Sequence, residues 1–158
     1  MQKIIDVCTY NGERELFEIR YNILKPYVDE FIVVEFDKTF SGKTKESEFL
    51  KDYAGLNKVL YHWHTEKLYN KYMDLALSSS STEGAEHWKR EFCQKESIKD
   101  ALQASNVQDD DTVFIGDCDE IWNPKIKWQN FTGSPFKLKL DVYTYYLNNK
   151  SSEEFYGT

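Results

Sequence analysis

The chain has 158 residues and a formal net charge of −7, so it lacks the basic face that nucleic acid or an anionic membrane surface would require. That length suits one domain spanning residues 1–158, and an acidic protein holds a phosphorylated ligand only with the help of a cation or a local arginine. Cys8, Cys93 and Cys118 form no C-x-x-C pair and support neither a disulfide framework nor a zinc knuckle, and without a basic-then-apolar leader or a membrane-length apolar run the expected setting is a reducing cytoplasm.

The first predicted strand, Lys3 to Thr9, runs into the turn-like Tyr10, Asn11 and Gly12. Glu13 and Glu15 open a helix at the end where negative charge is favoured, and Leu16, Ile19, Ile23 and Leu24, continued by Tyr27, predict its buried stripe. Phe31 to Phe36 is almost continuously apolar, the pattern of a central strand buried on both faces, so strand, helix and strand predict a right-handed parallel crossover. Glu35 interrupts that run and reads either as a solvent-facing residue at the carboxyl edge of the sheet or as a ligand for a ribose or base. Asp37 to Lys45 is a polar loop centred on Gly42 and lacks the spacing of a phosphate-cradling P-loop. A short helical turn over Glu46 to Tyr53 and a third strand over Lys58 to His64 follow, the latter placing His62 and His64 on one face.

Tyr69 to Leu77 is predicted helical, and Ser78 to Thr82 a polar loop. Glu83 to Ser105 reads as the longest helix, with Trp88, Phe92, Ile98, Ala101 and Leu102 on one face and Arg90, Glu91 and Gln94 beside it. The Arg90 fork suits a diphosphate, although pairing with a neighbouring glutamate is the commoner use of such a residue. Asn106 to Asp111 is an acidic turn, Pro124 starts another, and Phe136 to Leu147 alternates as a strand whose tyrosines would line a cleft.

Between those turns lies Thr112 to Asn123, T-V-F-I-G-D-C-D-E-I-W-N. Thr112 to Ile115 predict a short buried strand, Gly116 frees the backbone, and Asp117 and Asp119 flank Cys118 at the strand's carboxyl end. In an extended chain both carboxylates project to one side, and two hard oxygen donors suit Mg²⁺ or Mn²⁺ when a diphosphate supplies further oxygens. Neighbouring like charges at Asp117, Asp119 and Glu120 point the same way, since without a cation they disfavour ionisation.

Several stretches together resemble glycosyltransferase family 17: K-I-I-D-V-C-T-Y-N-G-E at Lys3 to Glu13, L-F-E-I-R-Y-N-I-L at Leu16 to Leu24, and V-D-E-F-I-V-V-E-F-D-K-T-F-S-G-K at Val28 to Lys43. W-K-R-E-F-C-Q-K at Trp88 to Lys95 and G-D-C-D-E-I-W-N-P at Gly116 to Pro124 complete the set, in order and across nearly the whole chain. The resemblance implies a GT-A-like, Rossmann-type three-layer α/β sandwich, with a mostly parallel sheet between helices. It also implies a UDP-sugar donor, most plausibly UDP-N-acetylglucosamine, and transfer with inversion to a glycan or other hydroxyl acceptor. Members of the family are usually longer, so the chain is expected to correspond to the nucleotide-binding half or a minimal version.

On position and resemblance, Thr9, Asn11 and Glu35 line the uridine and ribose side, Asp119 binds Mn²⁺ or Mg²⁺ directly, and Asp117 joins the ion or the ribose. Arg90 or Gln94 approaches the diphosphate or the donor sugar, and Glu120 and Asp141 are the candidates for the base that deprotonates the acceptor. Two alternatives stay open: a truncated, non-catalytic nucleotide or sugar-binding module, and a phosphatase of the haloacid dehalogenase type.

Overall fold

A computed structural model describes residues 2–78, 86–127, 135–143 and 149–156. Its elements are β1 (Ile4–Tyr10), α1 (Arg14–Leu24), β2 (Glu30–Phe36), α2 (Phe49–Tyr53), β3 (Val59–His64), α3 (Glu66–Ser78), α4 (Glu86–Glu96), α5 (Ile98–Ala104), β4 (Thr112–Asp117), β5 (Lys139–Tyr143) and β6 (Lys150–Tyr156). The first four strands form one all-parallel sheet in the order β3-β2-β1-β4, a Rossmann-like α/β arrangement. In this order β1 pairs with β2 on one side and with β4 on the other, which sets Thr9 opposite Asp117.

Strand alternation sends side chains to both faces, and helices cover both. On one face Ile5, Val7, Ile32 and Val34 pack beneath Ile98 and Ala101 of α5. On the other, Cys8, Tyr10 and Val33 pack beneath Phe17 of α1 and Phe49 of α2. Phe17 sits among Tyr10, Phe49 and Tyr53, with ring centroids 6.1, 4.8 and 5.0 Å away, contacts worth about 0.5–1.5 kcal/mol each beyond the area they bury.

Four sequence expectations need correction. Helix α1 buries Phe17, Arg20 and Leu24, while Leu16, Ile19, Ile23 and Tyr27 are 38–44 % exposed. Spacing alone favoured the aliphatic stripe; Phe17 and an arginine with a buried carboxylate partner took the inward face instead. The long helix is two, α4 and α5, divided at Ser97. There Ser97 Oγ donates to the carbonyl of Gln94 at 2.7 Å, a back-bond that bends helices. Strand β4 is an outer strand of the sheet rather than a buried one, and Ile115 is half exposed. Finally, the strand predicted from Phe136 begins at Lys139 and pairs antiparallel with β6, which the sequence did not announce. Residues 144–147 of that predicted strand, and 79–82 of the predicted serine loop, lie outside the described residues.

The two strand histidines share a face as expected, their rings 6.2 Å apart, and each is held by a serine: His62 Nε2 by Ser105 at 2.9 Å and His64 Nδ1 by Ser97 at 2.8 Å. Because Ser97 donates to Gln94, it accepts from His64, which places a proton on Nδ1. Burial, with His62 adding to it, pushes His64 down to about 4. The unfolded chain therefore takes up this proton first as pH falls. His64 should contribute full stability above about pH 6.5 and progressively less down to about pH 4, a loss on the order of 3 kcal/mol. Urea unfolding at pH 7.5 and 4.5 checks this: H64N should show a shallower pH dependence than the parent, and equal slopes would refute it.

Candidate functional site

At the carboxyl ends of β1 and β4 the chain turns twice, and the two turns face one another. Asn11 and Gly12 leave β1, with the Asn11 amide donating to Glu13 Oε2 at 2.6 Å. Asp117 ends β4 and starts a tight turn in which the Glu120 and Ile121 amides donate to the Asp117 and Asp119 carbonyls, each at 3.0 Å. Glu120 folds back so that its Oε2 accepts the Asp117 amide at 3.0 Å. A Cβ on Gly116 would stand 2.8 Å from that oxygen and 3.1 Å from the Glu120 Cβ, so a larger residue here would push Glu120 out of this fold-back.

The turn is fastened from beneath by Arg20, fully buried on α1. Its Nε and Nη2 hold both oxygens of buried Asp6 at 2.7 and 2.9 Å, and its Nη1 donates to the Asp117 and Glu120 carbonyls at 2.7 and 3.0 Å. Trp122 Nε1 donates to Asp6 at 2.8 Å. Burial opposes the charge on Arg20, but the Asp6 carboxylate outweighs it and holds the guanidinium protonated. Here the central strand, the first helix and the D-x-D turn are joined in one network.

Between the two turns and α4 lies a cavity of about 210 Å³. Thr9, Asn11 and Glu13 line it from the first turn, Asp117, Cys118 and Asp119 from the second, and Glu91, Gln94 and Lys95 from α4, with Leu16 and Phe40 as apolar wall. Asp117 accepts from Thr9 Oγ1 at 3.1 Å and from Lys95 Nζ at 3.1 Å, and Lys95 also pairs with Glu91 at 3.1 Å. Burial works against the Lys95 ammonium, yet Asp117 and Glu91 raise it above the ordinary lysine range. The thiol of Cys118 is pushed up by its contact with Cys8 and by burial, so it is no nucleophile at neutral pH.

The structure thus places Thr9, Asn11, Gln94, Asp117 and Asp119 around one cavity. It places four other candidates elsewhere. Glu35 is fully buried outside the cavity, where its carboxylate accepts from Lys45, Ser47, Tyr61 and the amides of Glu48 and Phe49 at 2.8–3.3 Å. It fastens the segment from Lys45 to Phe49 to the sheet, neither exposed at an edge nor open to a ribose. Arg90 donates to the Phe40 carbonyl at 3.2 Å and lies against Gly42, whose φ of +86° and 2.9 Å approach to the guanidinium leave no room for a side chain. It lines a smaller cavity of about 20 Å³, which shares Phe40 and Gln94 with the larger one and where the buried Asp37 Oδ1 has no protein partner among the described residues. Glu120 is turned back against the Asp117 amide, and Asp141, on β5, pairs with Lys150 at 2.6 Å.

Sequence reasoning missed Lys95 and Glu13 as site residues. Lys95 follows Gln94 directly and lies four residues beyond Glu91, a spacing that places Glu91 and Lys95 on one helix face. The described residues include no cluster of three or more His, Cys, Asp or Glu placed to hold a metal unaided. The donor set still fits Mg²⁺ or Mn²⁺, which bind through one or two carboxylates together with substrate phosphates and water. Among the described residues that line the cavity, Glu13, Glu91, Asp117 and Asp119 stand with a single lysine, Lys95.

Comparison with protein families finds that the model for glycosyltransferase family 17 matches residues 1–155. Neither the curated proteins nor the solved structures include a match.

Proposed function

The chain belongs to glycosyltransferase family 17, and from that premise we propose a metal-dependent inverting transferase that moves a sugar, N-acetylglucosamine foremost, from a UDP-sugar to a hydroxyl of a glycan or other acceptor. The observation that carries this reading is the shared cavity of Asp117, Asp119, Thr9 and Asn11 at the carboxyl ends of parallel strands, where open α/β sheets bind their ligands. Family membership also decides against the phosphatase alternative.

In this reading Asp119, on the exposed side of the turn, holds the divalent ion, and Asp117 holds the ion or the ribose. Bound there, Mn²⁺ or Mg²⁺ would act as a Lewis acid on the departing diphosphate. Thr9 and Asn11 take the nucleoside side, and Gln94 offers an amide to the diphosphate or donor sugar. Arg90 serves one step removed, by supporting the Phe40 carbonyl and with it the cavity wall. The acceptor proton goes to a carboxylate that faces the cavity, which favours Glu13 or Glu91 over Glu120 and Asp141.

Incubation with UDP-N-acetylglucosamine and Mn²⁺ tests the reaction. UDP release that rises when a glycan acceptor is added is expected. Tight UDP binding with no release under any acceptor would identify a binding module without turnover.

A further inference from the structure

Among the described residues Lys95 is the sole cation lining the larger cavity, and it is already engaged: its ammonium lies 3.1 Å from Asp117 and 3.1 Å from Glu91. Asp117 is engaged as well, with Thr9 on one oxygen and Lys95 on the other. If Asp117 is to reach a divalent ion, the lysine must leave it, because two cations on one carboxylate oxygen repel. A four-carbon stem with a point charge at its end makes such a move easy, and the side chain is about 30 % exposed, so no packing has to break. Gln94, the preceding residue, is almost fully buried, whereas Lys95 emerges from the same turn of α4 into the cavity. An arriving diphosphate would offer the ammonium oxygens carrying more charge than one carboxylate.

We propose that Lys95 is a diphosphate-binding residue that occupies Asp117 in the free protein and exchanges onto the nucleotide's phosphates as the ion takes its place. Glu91 tethers the lysine through the exchange, keeping the ammonium at the cavity when Asp117 is released. The proposal rests on the nucleotide-sugar reading above and adds an order to it: free protein binds the metal weakly, and nucleotide and metal enter together. Lys95 acts by charge and reach. It therefore serves in binding, and no proton or bond changes hands at it.

The test uses the whole chain as wild type, K95M and K95R, each checked for an unchanged thermal transition. In Mn²⁺ titrations without nucleotide, K95M should bind the ion about fivefold more tightly than wild type, because the competing ammonium is gone. In UDP titrations at saturating Mn²⁺, the same variant should bind about tenfold more weakly or worse, and K95R should recover most of that affinity. A K95M protein that matches wild type in either titration, while both bind UDP, overturns the exchange and leaves the nucleotide reading standing. UDP binding by neither protein at saturating Mn²⁺ overturns the nucleotide reading itself, and the exchange with it.

Discussion

Replacing Arg20 by methionine should lower the unfolding free energy by about 3–5 kcal/mol, the largest stability loss expected from any single substitution around the site. The guanidinium is fully buried and makes two bonds to Asp6 and two to the carbonyls of Asp117 and Glu120. Methionine fills much of the volume but leaves the buried Asp6 carboxylate with Trp122 as its remaining side-chain partner among the described residues, and takes one donor from each of the Asp117 and Glu120 carbonyls, the former keeping the Glu120 amide. R20K keeps a charge and loses the fork, so it should recover only part of the loss. Urea denaturation of the three proteins measures it. A loss under about 1 kcal/mol for R20M would mean that the network is not what fastens the turn.

Removing the Asp119 carboxylate should leave the fold intact and abolish metal-dependent nucleotide binding. The side chain is exposed at the cavity, and among the described residues no hydrogen bond or ion pair ties it to the fold as Asp117 is tied to Thr9 and Lys95. D119A should therefore change stability by no more than about 0.5 kcal/mol, the range of surface substitutions away from special features. It should also weaken UDP binding at saturating Mn²⁺ by about a hundredfold, the order expected when a buried or ligand-linked charge loses its partner. Thermal unfolding and nucleotide titration of the same preparation separate the two effects. Unchanged UDP affinity in a folded D119A protein would remove Asp119 from the site.

Much of this architecture was legible in the residues. The continuous apolar run of β2 and the strand, helix, strand order that leads to it predicted a parallel sheet, and the D-x-D after a strand marked the end of the sheet where the cavity lies. What could not be read was which polar groups satisfy one another. Arg20 and Asp6 lie fourteen residues apart in chain and look like surface charges until the fold brings them together, and the same blindness gave α1 the wrong inward face. Glu35 has the position of a ligand-binding residue, but Lys45, Ser47 and Tyr61, none predictable as its partners, turn it into a structural anchor. Lys95 was passed over because a lysine beside a glutamate on a helix ordinarily signals a solvated pair; only the approach of Asp117 from β4 shows otherwise.

Titrating UDP against the wild-type chain with and without Mn²⁺ bears most directly on the central claim, that the paired aspartates hold an ion which grips a nucleotide's phosphates. Binding should tighten about tenfold or more when Mn²⁺ is present, and UMP, lacking the second phosphate, should gain far less. Equal UDP affinity in the two conditions, or an equal gain for UMP, would contradict the claim.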